Sequence, residues 1–154
     1  MTAQVRWATT NNGSRLILPG LGRLYVALHD LAYAVLRIAS GAMLATFGYS
    51  KLFAAGGMAR DIALFKSLHL WPAAPLAYFT SGLEFFGGLL IALGLLTRPI
   101  AAMLTVEFVV IVVMVMIPRG ANYQLSVVWL GAFFYLAIRG GGRYSLDRIF
   151  GKEF

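Results

Sequence analysis

Apolar residues run almost unbroken through four stretches of this chain, at about residues 31–52, 75–96, 100–117 and 123–138, with polar and turn-forming residues gathered between them. Each stretch is close to the roughly 20 residues that an α-helix needs to cross a bilayer. Gly56 and Gly57 follow the first, Trp71-Pro72 and Pro75 lead into the second, Pro118-Arg119-Gly120 ends the third, and Gly140, Gly141 and Gly142 stop the fourth. Between the first two, Met58, Ile62 and Phe65 recur at i, i+4 and i+7 while Arg60, Asp61 and Ser67 lie elsewhere on the wheel, which predicts a short amphipathic helix over about 58–68. The Thr97-Arg98-Pro99 turn is so short that the second and third spans must be antiparallel neighbours. The pattern predicts an all-α fold, an integral membrane four-helix bundle with an amphipathic helix between spans one and two.

Composition agrees with the pattern. The 154 residues are 60% hydrophobic and 12% charged, with a mean hydropathy of +0.77, against about 45–50% and about 25% in an average soluble domain. A soluble fold this small keeps too much of its surface exposed to hide that apolar content. The chain divides into an N-terminal tail (1–26), a membrane domain (27–139) and a C-terminal tail (140–154). In the first tail the polar cluster Thr9–Ser14 precedes a short apolar stretch, Leu16–Leu21, a poor match to a secretory signal. It reads as cytoplasmic, with Leu16, Ile17 and Leu18 lying on the membrane surface.

Charge orients the bundle. The net charge is +7, and the basic residues flank the apolar runs, which suits anionic lipid headgroups and leaves little case for nucleic acid. Arg6, Arg15, Arg23, Arg98, Arg139, Arg143, Arg148 and Lys152 fall on one side, and Lys51, Arg60, Lys66 and Arg119 on the other, eight against four. The positive-inside rule then places both termini in the cytoplasm of a bacterial-type inner membrane. Trp71, Tyr78 and Tyr123 are expected at the outer boundary, and Tyr25, Tyr33 and Tyr144 at the inner one.

Three ionisable residues fall inside the spans, Arg37, Glu84 and Glu107, where a charge costs about 2.5–3.5 kcal/mol on insertion scales and normally finds a partner in the bundle interior. Arg37 shares a helical stripe with Asp30, Gly41, Gly48 and Lys51, Glu84 one with Gly87 and Gly88, and the fourth span offers Gln124, Val128, Gly131 and Tyr135. Such small residues let membrane helices approach closely, so Gly41, Gly48, Gly87, Gly88 and Gly131 are expected at helix contacts. Arg37 is expected to pair with Glu84, either to fix register or to line a polar pocket for a head group such as a quinone. Glu107 has no evident cation and is either carried as the neutral acid or opens onto a cavity.

Other chemistry is excluded by what the chain lacks. Without cysteine there is no disulfide, iron–sulfur cluster, thiolate zinc site or cysteine nucleophile. His29 and His69 lie at opposite ends of the spans and cannot share a haem, no other metal cluster is evident, and Ser50, Ser81 and Ser126 have no histidine at their depth.

From about Leu36 to Phe150 the chain resembles the DoxX family of small four-helix membrane proteins. The resemblance rests on Arg37-x3-Gly41-x6-Gly48-x2-Lys51-Leu52, on Gly82-Leu83-Glu84-x2-Gly87-Gly88 followed by Gly94-Leu95-Leu96-Thr97-Arg98, and on Gly142-Arg143-Tyr144-Ser145-Leu146-Asp147. It departs where the family often has a histidine at the end of span three, here Ile117-Pro118-Arg119, and a Gly-Tyr-Glu entering span four, here Asn122-Tyr123-Gln124. The resemblance implies a link to membrane redox systems, among them a thiosulfate:quinone oxidoreductase and oxidant-defence assemblies. Two functions remain open on this reading. One is a quinone-linked or redox-associated subunit with Arg37, Glu84 and Glu107 around an intramembrane pocket, holding no covalent cofactor. The other is a non-catalytic accessory subunit docked on a larger membrane complex. A transporter is disfavoured by the lack of an inverted repeat.

Overall fold

The computed structural model describes residues 21–149. These residues form helices and no strand, in the order α1 (Leu21–Phe53), α2 (Gly57–Ser67), α3 (Ala73–Leu93), α4 (Thr97–Met116), α5 (Gln124–Arg139) and α6 (Leu146–Ile149). Three are long and apolar enough to cross a membrane: α1 from Ala27, α3 and α4, with 27, 21 and 20 residues. With 16 residues, α5 is shorter, about 24 Å against an apolar slab of about 30 Å. The fold is the expected all-α membrane bundle, with α2 as its short amphipathic helix. Its outward surface is apolar, with Val35, Met43, Phe79, Val106, Val113, Val128 and Phe134 among its exposed residues.

Two boundaries differ from the sequence reading. First, the helix extends back to Leu21, so the last residues assigned to the N-terminal tail belong to α1; Leu16–Leu18 fall outside the described residues. Second, Thr97-Arg98-Pro99 is not the turn but the start of α4. The turn lies just before it, where Gly94 (φ 74°) and Leu96 (φ 50°) take left-handed conformations. Pro99 fits the first helical turn because no N–H is required there. The α4 N-terminus is held from far along the chain: the Asp147 carboxylate accepts hydrogen bonds from the Leu96 and Thr97 N–H groups at 2.8 and 3.1 Å and from the Thr97 hydroxyl at 3.2 Å. A carboxylate there satisfies orphan donors and meets the positive end of the helix dipole.

The same contact changes the picture of the C-terminal segment. Residues 140–149 are docked against the bundle instead of trailing from it. The Asp147 N–H donates to Gly94 O at 2.9 Å, and the Tyr33 hydroxyl donates to Gly140 O. Tyr33, expected as an interfacial anchor, is 4% exposed and lies beneath the Arg139 guanidinium at 3.9 Å. It serves as a buried post for the docked segment. Trp71, Tyr78, Tyr123, Tyr25 and Tyr144 are exposed.

Packing is mainly pairwise, α1 along α3 and α4 along α5. Phe108, Trp129 and Phe133 join α4 to α5, the last two stacked at 5.5 Å between ring centroids. The α1–α3 seam is tighter because it is built on glycine. A Cβ on Gly41 would lie 2.5 Å from Gly88 O, and one on Gly88 would lie 2.6 Å from Gly41 O. Gly48 rests on the Phe85 backbone, and a Cβ on Gly87 would meet the Ile100 side chain at 3.0 Å. Gly131 behaves differently from the sequence expectation: it faces outward with nothing within 4 Å of its added Cβ. Val128 on the same stripe is exposed as well, and only Tyr135 at its end reaches back to Tyr33.

These contacts separate the glycines experimentally. Gly41→Ala and Gly88→Ala drive a methyl into backbone and should each destabilise the detergent-solubilised protein by about 1–3 kcal/mol, whereas Gly131→Ala should gain helix propensity and leave the melting temperature unchanged or raised. A Gly41→Ala protein that melts with the parent would contradict the seam. Asp147→Ala removes three hydrogen bonds from the α4 start and should cost about 1–3 kcal/mol. Faster amide exchange at Leu96 and Thr97 would check that the loss is local.

Candidate functional site

The antiparallel seam decides which charges meet. With Gly41 against Gly88 and Gly48 against Phe85, Arg37 lies beside Gly94 and Lys51 lies beside Glu84. The expected Arg37–Glu84 pair does not form. Arg37 and Lys51 are fourteen residues apart on one helix, about 21 Å along its axis, and the glycine contacts allow only one of them at the depth of Glu84.

Lys51 Nζ donates to Glu84 Oε1 at 2.6 Å and lies 3.7 Å from Asp61 Oδ2. Asp61 also accepts the Ser81 hydroxyl at 3.0 Å. Glu107 has Glu84, Lys51 and Asp61 as its charged neighbours. Side chains from α1, α2 and α3 therefore meet, with the Glu84 and Asp61 carboxyl groups at the Lys51 ammonium, and Glu107 of α4 adds a third acid to the neighbourhood. Glu84 is 3% exposed, yet its Oε2 has no hydrogen-bond partner, and Glu107 Oε2 is likewise buried and unpartnered. One ammonium does not balance three carboxylates at low dielectric, so the cluster favours a proton or a hydrogen-bond donor. Its two orphan oxygens are the places for one.

Local backbone and aromatic packing distinguish the same spot. Glu84 sits within a π-helical turn, Leu83–Gly87, a distortion frequent at functional sites. Close to Lys51 and Glu84 in sequence, Tyr49, Phe53 and Phe85 form a cluster with centroid separations of 5.0, 5.5 and 6.0 Å, and Phe86 stands edge-on to Phe85 at 4.9 Å. Tyr49, Phe53 and Phe86 are exposed to the bilayer side of the bundle.

Arg37 belongs to a separate assembly at the other end. It is 1% exposed, and its Nη2 donates to Tyr144 O at 2.6 Å. Its Nε and Nη1 have no acceptor. The Asp147 carboxylate acts on it electrostatically, but that carboxylate is already taken by the α4 N-terminus. Of the three residues singled out by the sequence, Glu84 and Glu107 come together and Arg37 does not join them. The sequence does not single out Lys51, which lies on the Arg37 stripe but counts among the flanking charges, or Asp61, which lies on the polar face of α2. The pairing Gly41–Gly88 was the available signal, since aligning those glycines moves Lys51 to Glu84. His29 lies near the start of α1 and His69 just beyond α2, at opposite ends of the bundle. Among the described residues no group of three or more His, Cys, Asp or Glu side chains is arranged to hold a metal ion.

Residues 32–117 match the sequence profile of the DoxX family, more than half of the chain, including Arg37, α2 and the four residues of the carboxylate cluster, Lys51, Asp61, Glu84 and Glu107. No curated protein and no solved structure matches the chain.

The Lys51–Glu84 pair makes a prediction that the Arg37–Glu84 pair would not. Lys51→Met leaves a buried carboxyl group without its cation and should destabilise the protein by about 3–5 kcal/mol, while Lys51→Met/Glu84→Gln should recover most of that loss. Arg37→Met should show no such coupling to Glu84→Gln. Thermal unfolding of the four variants in one detergent closes the cycle, and additive losses for Lys51 and Glu84 would refute the pair.

Proposed function

Because this chain belongs to the DoxX family, we propose that it is a redox-associated subunit of the cytoplasmic membrane whose Lys51–Glu84–Glu107 cluster binds the head group of a quinone or quinol. The observation that carries this reading is the pair of buried, unpartnered carboxyl oxygens, Glu84 Oε2 and Glu107 Oε2, beside one ammonium. A quinol offers two hydroxyl donors and a quinone two carbonyl acceptors. The cluster supplies the complement of each: orphan oxygens to accept a hydroxyl proton, and Lys51 Nζ to donate to a carbonyl. The Tyr49–Phe53–Phe85 cluster supplies the apolar ring surface.

Exposure is graded across the polar side chains, 4% for Glu84, 14% for Asp61 and 30% for Lys51. A proton accepted at Glu84 therefore has a short path by way of Lys51 and Asp61 to water at the α2 end. With both termini in the cytoplasm, as the excess of basic residues around Arg98, Arg139, Arg143 and Arg148 favours, that end faces outward. Electrons that leave a quinol with its protons pass to the redox centre of a partner membrane protein.

A second reading, the non-catalytic accessory subunit, is favoured by α5. That helix is shorter than a bilayer is thick and turns Gly131 and Val128 outward, a surface suited to another helix. The two readings separate on the carboxyl groups. On the quinone reading, Glu84→Gln and Glu107→Gln should each reduce the ubiquinone or menaquinone retained on gentle detergent extraction by about tenfold, one lost charge-assisted hydrogen bond, without loss of membrane insertion. Quinone retained equally by the parent and both variants would remove that reading and leave the accessory one.

A further inference from the structure

The end of the bundle opposite the carboxylate cluster carries a second candidate site, built from the docked C-terminal segment. Leu93, Arg143, Tyr144, Ser145, Leu146, Arg148 and Ile149 line a groove of about 560 Å³, within the size range of ligand pockets. Leu93 is the last residue of α3, a membrane-length helix, and it faces outward, as does Ile149. The floor of the groove therefore continues the lipid-facing surface, while its rim carries Arg143 and Arg148.

The charges around it are unbalanced. Arg143 is 3.6 Å from Asp30, but Asp30 is shared with Arg139 at the same distance. The exposed Arg148 side chain makes no ion pair among the described residues. Asp147, the other acid nearby, is occupied by the backbone at the α4 start. Behind the groove wall, Arg37 is fully buried against Gly94 and bonded to Tyr144 O, with Nε and Nη1 lacking acceptors. Three guanidinium groups thus bear on one apolar-floored groove at a membrane boundary.

We propose that this groove binds one anionic glycerophospholipid, its phosphate between Arg143 and Arg148 and its glycerol and upper acyl chain along Leu93, Leu146 and Ile149. Lipid is the occupant, and not a soluble phosphate, because the apolar floor opens toward the bilayer side and a free anion would leave it unused. Arg37 adds positive potential from behind Tyr144 and Ser145. The bound lipid would fasten the docked segment, and with it the cap on α4, to the membrane surface. This site shares no residue with the Lys51–Glu84–Glu107 cluster.

Native mass spectrometry of the full chain in a neutral detergent tests it, with dioleoylphosphatidylglycerol titrated against dioleoylphosphatidylcholine. The parent should retain one phosphatidylglycerol in preference to phosphatidylcholine. Arg148→Gln should weaken that binding by about fivefold and Arg143→Gln/Arg148→Gln by about 30-fold, while Arg119→Gln at the other end should leave it unchanged. Because Arg148 is exposed and makes no ion pair among the described residues, its single variant reports even if the double variant fails to fold. Equal retention of the two lipids, undiminished binding by Arg148→Gln, or an equal loss with Arg119→Gln would overturn the site. Displacement by free glycerol 3-phosphate as readily as by phosphatidylglycerol would overturn the choice of a lipid.

Discussion

The backbone contact between Gly41 and Gly88 is the constraint on which the arrangement of charge depends. Two helices held that closely cannot slide past one another without driving carbonyl oxygens into neighbouring backbone. The contact therefore fixes depth as well as distance. Arg37 and Lys51 are about four turns apart on the same face of α1, so both lie along the seam with α3, one toward each end. Once Gly41 faces Gly88, Lys51 falls beside Glu84 in the π-helical turn, and Arg37 falls beside Gly94 at the turn into α4. One glycine pair decides the partners of the buried Arg37 and the half-buried Lys51.

The two ends answer the cost of buried charge in different ways. At the Arg37 end the answer is backbone: a carbonyl of the docked segment accepts from the guanidinium, and the nearest carboxylate caps a helix. Cations are in excess there. At the Lys51 end carboxyl groups are in excess, and two of their oxygens are without donors. A purely structural ion pair would not gather two further acids around itself, because each adds desolvation without adding a partner. The surplus acids make the Lys51 end the candidate for chemistry, whereas the contacts of the Arg37 end tie the C-terminal segment to the bundle.

The helices were legible because the bilayer imposes a length, and residues that satisfy it stand out in so apolar a chain. Glu84 and Glu107 were legible for the same reason, since charge within a span is expensive. Their partners were not. Lys51 sits at the end of its apolar run, where a lysine reads as a boundary marker with its long side chain turned to water, and only the register shows that it turns inward. Tyr33 was lost in the same way: a tyrosine near a span end reads as an anchor until a distant segment, Gly140–Tyr144, folds over it. Asp147 carried no local signal at all, because its partners, the N–H groups of Leu96 and Thr97, are some fifty residues earlier in the chain. Periodicity and hydropathy are local quantities, whereas the contacts that define both ends of this bundle are not.

The short helix α2 is the element that joins the membrane architecture to the candidate chemistry. Gly56 takes a left-handed conformation (φ 74°), and Gly57 packs so tightly on α1 that a Cβ there would lie 2.7 Å from Lys51 O. The chain must therefore fold back directly over the end of α1. One turn later this reversal delivers Asp61 to Lys51, and the Ser81 hydroxyl ties the same carboxylate to α3. Without α2, Lys51 and Glu84 would meet at the end of the bundle with water on one side. With it, the pair is covered by a helix whose only acidic side chain points into the cluster. The amphipathic pattern of α2 thus has two causes: its apolar positions seat it on the bundle, and Asp61 is the polar position turned toward the buried charges beneath.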